Sequence, residues 1–413
     1  MLLIPKFLIE ENNVTTMDNN FIPFHLPSIG QEEIDEVTQT LRSGWLTSGP
    51  RTAQFEAEFR DYTSAPFSQA VNSCTAGLHL ALAALGIGPG DEVITTPMTF
   101  CATVHCILHV GATPVLADIG SDGNIDPASI AERITERTRA IIPVHLGGLP
   151  CDMEAIWDLA RRHRLYVIED AAHAVGARIG SMPIGGSDRS DAVAFSFYAT
   201  KNLTTGEGGM VTTHNAELTD RLKTLCLHGI SKDAWNRYGE KGNWHYDVIE
   251  EGFKYNLSDI QSAIGIHQLR KQESFLEIRA RYADLYRQAL ADVAEVEVPL
   301  EREGTRSAWH LYVLRLNLDR LTIDRDEFIR ELRHKGIATS VHFIPIPLHT
   351  FFASYPGLDK SLCPKAMELY PRIVSLPLYP AMTESQIEFV AGTIKDLAHQ
   401  FSTAKSIAVS ARS

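Results

Sequence analysis

The stretch RAIIPVHLGGLPCDMEAIWDLARRHRLYVIED, residues 139–170, decides the fold. It places a helical pattern at 152–163 between two apolar runs, RAIIPV (139–144) and LYVIED (165–170), which are typical of buried strands. Strands that are joined through a helix pair in parallel, and such helices cover the faces of the sheet. The stretch therefore predicts one unit of a parallel, helix-covered sheet.

The same alternation continues on both sides of this stretch, across residues 70–215. Further strands are predicted at 92–96, 114–119, 191–197 and 208–214, and further helices at 75–86, 100–111 and 126–135. A long helical pattern then runs from Ser258 toward Val293. A smaller unit follows, with strands predicted at 309–316 and 338–343 and helices at 324–336 and 383–398.

These patterns predict an α/β protein in which a large domain (21–275) holds the mostly parallel sheet and a smaller α+β domain (276–413) follows. Residues 1–20 are predicted to be a disordered or translation-start extension.

The composition excludes several function classes. Of the 413 residues, 22% are charged and the formal net charge is −13, which argues against a nucleic-acid-binding or membrane-surface protein because both need a basic face. The six cysteines show no metal-binding spacing, as expected for reduced thiols in a cytoplasmic enzyme.

The motif VIEDAAHAVGA (167–177) places Asp170 at the end of a predicted strand. Ligands of open α/β sheets collect at the carboxyl ends of the strands, so Asp170 is a candidate site residue. Two alternatives stay open: Asp170 could cap a helix, or it could bind a metal together with His173. The metal alternative is the weaker one, because no third ligand is placed nearby in the sequence.

Two further segments point to a phosphate and an aldehyde. In NSCTAGLHLAL (72–82), Ser73 and Thr75 open a predicted helix whose free N–H groups could receive a phosphate, although a simple capped helix explains the same pattern. In FSFYATKNLTTGEGG (195–209), Lys201 follows an apolar run, and burial lowers the pKa of a lysine enough for it to form a Schiff base. A phosphate site, a carboxylate and a buried lysine together are what pyridoxal phosphate (PLP) requires.

Five segments carry a resemblance to a known family: GWLTSGP (44–50), 72–100, 167–177, 195–210 and KYNLSDIQSAIG (254–265). In order and spacing they resemble the DegT/StrS-type sugar aminotransferases, over nearly the whole chain from about Phe21 to Leu397. The resemblance implies PLP as cofactor and the aspartate-aminotransferase-like fold type I of PLP-dependent transferases. It further implies L-glutamate and 2-oxoglutarate as amino donor and product, and a homodimer with shared active sites.

The resemblance also implies residue roles. Lys201 matches the Schiff-base lysine, and Asp170 matches the carboxylate that faces the pyridine nitrogen. The other implied cofactor contacts are Thr75, Ala76 and Ser196 at the phosphate, Phe100 against the ring, His173 near the ring oxygen, and Asn256 at the phosphate of the neighbouring subunit. Apart from the resemblance, candidate substrate contacts are Trp45, Trp309, His310, His342 and His349, because aromatic and imidazole side chains suit a sugar and a uracil ring; His310 and Trp309 could instead be packing residues.

The run HGISKDAWNRY (228–238), together with KYNLSDI, looks most like the UDP-4-amino-4-deoxy-L-arabinose aminotransferases. The expected reaction is therefore amination of a UDP-linked 4-keto-pentose, or of a related 4-keto-6-deoxyhexose, for cell-surface polysaccharide or a glycosylated metabolite. The chain departs from the common pattern at Cys74, Tyr198, Ala199 and Ser258. The alternatives are a sugar 3-aminotransferase or dehydratase of the same fold, a non-catalytic PLP-binding regulatory protein, and a metal hydrolase. Lys201 argues against the dehydratase, which commonly has histidine there.

Overall fold

The computed structural model describes residues 21–231, 246–299, 301–355 and 357–404, so the predicted extension at 1–20 and most of the run 228–238 lie outside it. Its helices are α1 Gln31–Ser43, α2 Pro50–Thr63, α3 Cys74–Ala84, α4 Cys101–His109, α5 Pro127–Arg133, α6 Met153–His163, α7 Ala216–Cys226, α8 Asp259–Leu290, α9 Arg325–His334, α10 Thr350–Ala353, α11 Pro364–Leu369 and α12 Glu384–Gln400. Its strands are β1 Phe67–Val71, β2 Glu92–Thr95, β3 Thr113–Leu116, β4 Thr138–Ile142, β5 Tyr166–Asp170, β6 Arg178–Ile179, β7 Met182–Pro183, β8 Ala192–Ser196, β9 Gly209–Thr213, β10 Val296–Glu297, β11 Thr305–Arg306, β12 Tyr312–Leu316 and β13 Ile373–Leu376.

The central sheet has seven strands in the order β1-β9-β8-β5-β4-β2-β3. Neighbouring strands from β8 to β3 are parallel, whereas β9 is antiparallel to both β1 and β8. The predicted mostly parallel α/β sheet is confirmed. Because β9 runs against the others, its first residue lies at the same edge as the last residues of β5 and β8, and this edge carries the site.

Both faces of this sheet are buried, which explains why its strands are continuous apolar runs rather than alternating patterns. Ile141 and Ile142 are consecutive in β4 and fully buried, yet they belong to different core clusters, one on each side of the sheet. On one side, α3 packs against β8 and β9, and every residue of α3 except Thr75 and Ala83 is buried. Helices α2 and α8 pack together on the other side.

Helix α8 begins with a capping box in which Ser258 and Gln261 bond each other's backbone N–H groups. Over its 32 residues it passes from the core beneath the central sheet, at Ile266 and Leu276, to a second core, at Tyr286 and Leu290. The second core also contains the antiparallel sheet β10-β12-β13 and the inner faces of α9 and α12. Ile22 packs there as well, through a backbone bond from its N–H to the Gly336 carbonyl at 2.8 Å.

One predicted strand is wrong. The segment 338–343 forms no regular strand, because its neighbourhood makes single bridges to two separate partners: Ile337 with Ile22, and Ser340 with Ser375. The segment then turns into the site, where His342 and Phe343 line the cavity described below. Within the described residues, no helix has the length and apolar character needed to cross a membrane.

Candidate active site

A cavity of about 640 Å³ lies at the edge of the central sheet where β5 and β8 end and β9 begins. The predicted site residues that line it are Thr75, Phe100, Asp170, His173, Ser196, Lys201, His310 and His342. They come from distant parts of the sequence, and the parallel topology brings them to one edge. A volume of this size is in the range of small-molecule sites.

Lys201 lies in the connection between β8 and β9, where its backbone N–H donates to the Tyr198 carbonyl at 2.9 Å. Its side chain is partly buried, and burial lowers the pKa of its amine to about 8, although the nearby Cys74 and Asp170 raise it. Among the described residues, no carboxylate lies within ion-pair distance of the amine. The structure therefore keeps an amine that loses its proton readily and is available for reaction.

Asp170, the last residue of β5, is 6% exposed. Its Oδ2 accepts a hydrogen bond from the Thr103 hydroxyl at 2.8 Å, and its Oδ1 accepts one from the Ala172 backbone N–H at 3.2 Å. Burial raises the pKa of this carboxyl group, whereas the two hydrogen bonds and the charge of Lys201 lower it. The helix-cap alternative is wrong, because a turn rather than a helix follows β5.

The imidazoles of His173 and His310 lie side by side, with ring centroids 4.4 Å apart. The Gly147 backbone N–H donates to Nδ1 of His173 at 3.2 Å, so this imidazole carries its proton on Nε2. His310 donates from Nδ1 to the Asn202 side-chain oxygen at 3.0 Å, because the amide nitrogen of Asn202 donates to the Ala308 carbonyl. Burial and the charge of Lys201 hold the pKa of both histidines well below the usual value, so both are neutral.

The start of α3 forms one wall of the cavity. Ser73 caps this helix, and its hydroxyl accepts the Ala76 backbone N–H at 3.1 Å, so that N–H is already bonded within the chain. Thr75 lines the cavity, whereas Ala76 does not. Opposite, Gly209 allows β9 to approach the helix, because a Cβ atom there would lie 2.7 Å from the Cys74 backbone nitrogen.

Phe100 precedes α4, and 62% of its surface is exposed. From its residue type alone it would be assigned to the core, and that assignment is wrong. An exposed aromatic ring beside a buried carboxylate and a free amine is suited to stack on a planar ring. Together, Phe100, Asp170, Lys201 and the helix start at Thr75 fit PLP, since they offer a ring platform, a partner for a pyridine nitrogen, an amine and a phosphate site.

Trp45 and Asn256 lie outside this cavity. Trp45 is 41% exposed and donates from Nε1 to the Ser48 carbonyl at 3.1 Å. Asn256 donates from its side chain to the Ser48 hydroxyl at 2.8 Å and accepts a hydrogen bond from Lys254. The two predicted residues therefore share one patch of their own chain, around Ser48, rather than the cofactor cavity of that chain.

A second cavity of about 900 Å³ meets the first at Leu311 and His342. Its charged side chains are Asp122, Asp126, Asp152, Glu297, Glu301, Arg302, Arg315 and Lys365. Asp122 pairs with Arg302 and Asp126 pairs with Lys365, so carboxylates remain in excess. This lining is unsuited to a phosphate, which makes the first cavity the candidate cofactor site.

Sequence reasoning missed Thr99 and Thr103. The two hydroxyl oxygens are 2.7 Å apart, and that of Thr103 contacts the Asp170 carboxylate. The spacing of the two threonines could have indicated them. Residues four positions apart lie on one face of a helix, and this helix was predicted to begin just after a strand end.

The comparisons with known proteins agree with this geometry. Residues 27–395 match the model of the DegT/DnrJ/EryC1/StrS aminotransferase family. Protein MJ1066 of Methanocaldococcus jannaschii, described as uncharacterized, is 50% identical over 379 residues, which are 92% of this chain and 98% of that protein. The spore coat polysaccharide biosynthesis protein SpsC of Bacillus subtilis is 48% identical over 381 residues, which are 92% of this chain and 97% of SpsC.

Among solved structures, the chain resembles the putative sugar aminotransferase Spr1654 from Streptococcus pneumoniae. The form with pyridoxamine phosphate (PMP) matches with a TM-score of 0.87 and 35% identity, over 92% of this chain and 99% of that one. The PLP form matches with a TM-score of 0.86 and 34% identity over the same shares.

Proposed function

The chain belongs to the DegT/DnrJ/EryC1/StrS aminotransferase family, and from that premise we propose that this PLP-dependent enzyme transfers the amino group of L-glutamate to the 4-keto group of a nucleotide-linked sugar. The sugar is a UDP-linked 4-keto-pentose or a 4-keto-6-deoxyhexose. The product is an amino sugar for cell-surface polysaccharide or a glycosylated metabolite. The expected location is the cytoplasm, where the six cysteines, all free in the structure, would stay reduced.

The observation that carries the proposal is the cavity shared by Lys201, Asp170 and Ser196, with Phe100 at its mouth. The described lining offers one amine without a carboxylate partner and one buried carboxylate, as the transfer of an amino group through PLP requires. The sugar part of the proposal is supported by the family and by the name of the Bacillus subtilis relative.

In the proposed reaction, bound PLP supplies an electron sink that stabilises negative charge at the carbon that loses its proton. Lys201 would hold PLP through its aldehyde carbon until the amino group of the donor takes that place. Its freed Nζ would then move the proton from the α-carbon of the donor to that cofactor carbon, and in the sugar half-reaction from that carbon to C4 of the sugar. Asp170 would hold the proton on the pyridine nitrogen. Thr75 and Ser196 would bind the phosphate, and Phe100 would cover the ring.

The test is an assay of UDP- and dTDP-linked 4-keto and 3-keto sugars with L-glutamate, in which release of 2-oxoglutarate is measured. We expect release with a 4-keto sugar and none from the Lys201→Ala variant. In the wild type, borohydride should fix a pyridoxyl group to Lys201, as mass spectrometry would show. Turnover of only 3-keto sugars would contradict the position of amination, and a pyridoxyl group on another lysine would contradict the role of Lys201.

We further propose a homodimer in which each chain completes the site of the other. The support is the patch around Ser48, which places Trp45 and Asn256 outside their own cavity, and the exposure of Phe100 and of Tyr198 (45%) at the mouth. A two-fold dimer would give each cavity the partner's Asn256.

Mixing two inactive variants tests this arrangement. Dimers formed from Lys201→Ala and Asn256→Ala chains should regain activity at limiting PLP, because the mixed dimer gathers both changes into one site and leaves the other site intact. The control is each variant mixed with itself. Activity no higher than the parental average, after verified subunit exchange, would show that Asn256 serves its own chain.

A further inference from the structure

We propose that Thr103 is a positioning residue for Asp170: its hydroxyl, oriented by the hydroxyl of Thr99, keeps the carboxylate ionised and fixed at the wall of the cofactor cavity. The inference rests on the proposed function, because it assumes that Asp170 is the carboxylate that faces the pyridine nitrogen.

The geometry determines which hydroxyl donates and which accepts in this pair of hydrogen bonds. Oγ1 of Thr103 lies 2.8 Å from Oδ2 of Asp170, and Oγ1 of Thr99 lies 2.7 Å from Oγ1 of Thr103. An ionised carboxylate can only accept hydrogen bonds, so Thr103 must donate to Asp170. The oxygen of Thr103 is then free to accept, and the hydroxyl of Thr99 is the donor in reach. Both threonines are 1% exposed, so water does not compete for these bonds.

The Thr103 bond differs from that of most helical threonines in the described residues, and Thr52 shares its pattern: in the first turn of α2, Thr52 donates its hydroxyl to the Asp259 carboxylate at 2.7 Å. A threonine within a helix commonly donates its hydroxyl to the backbone carbonyl four residues earlier. Among the described residues, the threonines that do so are Thr40, Thr63, Thr219, Thr224 and Thr393. Thr103, in the first turn of α4, donates instead to a carboxylate 67 residues away in the sequence. Its hydroxyl therefore bonds the end of β5 and not a backbone carbonyl of its own helix.

The hydroxyl matters because Asp170 is buried. Burial raises the pKa of this carboxyl group, and the strongest opposing effect is the hydrogen bond from Thr103, ahead of the Ala172 N–H. The titratable groups that face Asp170 are Lys201 between β8 and β9, Cys74 on α3, Cys106 on α4 and His145 after β4. Burial and the charge of Asp170 raise the pKa of both thiols, so these remain neutral and add no second negative charge beside the carboxylate.

The variant Thr103→Val tests the inference, because it removes the hydroxyl and keeps the side-chain shape. Thr103→Ser is the matched control that restores a hydroxyl, and Thr99→Val removes the outer donor alone. The measurement is the dissociation constant of PLP from each protein, obtained by fluorescence titration of the cofactor-free enzyme between pH 6 and 9. Circular dichroism confirms that each variant is folded.

We expect Thr103→Val to weaken PLP binding about 10- to 100-fold at pH 7, as the loss of a hydrogen bond to a charged group predicts. The deficit should grow as the pH falls, because the carboxylate then takes up its proton at a higher pH than in the wild type. Thr103→Ser should bind within about threefold of the wild type, and Thr99→Val should show a smaller loss in the same direction.

The outcomes separate the two proposals. If Thr103→Val and the wild type bind PLP with parallel pH profiles within about twofold, the hydroxyl only fills space and the inference is overturned. If only Thr99→Val binds PLP as tightly as the wild type does, the proposed role of the Thr99 hydroxyl as outer donor is wrong. If Asp170→Asn also leaves PLP binding and its pH profile unchanged, the role of Asp170 in the proposed function fails instead.

Discussion

Replacing Lys201 by methionine should stabilise the cofactor-free protein while it abolishes transamination. Burial lowers the pKa of Lys201 from its usual 10.5 to about 8, so the folded state holds this proton less tightly than the unfolded chain does. At about 1.4 kcal/mol per pKa unit, the charged amine costs folding roughly 3 kcal/mol at pH 7. Since the side chain is only partly buried, water screens some of this cost, and the expected gain is about 1–3 kcal/mol.

The pH dependence of this gain follows from the direction of the shift. Below pH 8 both states are protonated and the full cost is present. Between pH 8 and 10.5 the folded state loses its proton first, so the cost shrinks, and above pH 10.5 it is gone. Urea unfolding of both proteins at pH 7 and pH 10.5 measures the gap, and Lys360→Met, at an exposed lysine, is the matched control. A Lys201→Met protein that is less stable than the wild type, or a gap independent of pH, would refute the reasoning.

Three further predictions concern the same edge of the sheet. Asp170→Asn should bind PLP more weakly and, at saturating PLP, slow both half-reactions on the order of 10²- to 10³-fold in single-turnover measurements, because an amide cannot hold the pyridinium proton; a change of only a few-fold would contradict this role. Gly209→Ala should lower the free energy of unfolding by about 1–3 kcal/mol, because its Cβ would lie 2.7 Å from the backbone atoms Cys74 N and Phe195 O. The control is Gly392→Ala in α12, whose Cβ would meet no atom within 4 Å. This variant should raise the free energy of unfolding by about 0.5–1 kcal/mol. The pH profile of kcat should show one ionisation near pH 8, the value for Lys201, and a second ionisation between pH 6 and 7 would show that a histidine also titrates.

The sequence predicted those parts of the fold that depend on local pattern. The apolar runs identified β2, β3, β4, β5, β8 and β9, and the end of β5 then located Asp170, whereas Ser196 came from the resemblance to the family. The strand predicted at 338–343 failed because regular pairing requires one continuous neighbour, and this segment has two partners that each offer a single bridge. The domain boundary at 275/276 stays a prediction, although Ile22, near the start of the described chain, packs in the second core.

The sequence could not predict which side chains orient the Asp170 carboxylate. Thr103 and Asp170 are 67 residues apart, and no local pattern tells that a hydroxyl in the first turn of α4 donates to the end of β5. The residue type of Phe100 alone is also misleading, because apolar residues are expected to be buried. Its exposed ring is explained only by the cavity beside it, which the sequence does not show. The resemblance to a family supplied its role without that physical reason.

The four histidines of the cavity help to explain why proton transfer in the proposed reaction can depend on the amine of Lys201 alone. His25, His173, His310 and His342 all line the cavity, and burial lowers the pKa of His25 to about 3 and that of His342 to about 4. Burial, together with the charge of Lys201, also lowers the pKa of the other two, so at neutral pH all four are uncharged hydrogen-bonding groups rather than acids. Among these lining groups, Lys201 is the one whose pKa lies near neutrality. In the proposed reaction, this amine would therefore be the group that moves the proton between two carbon atoms.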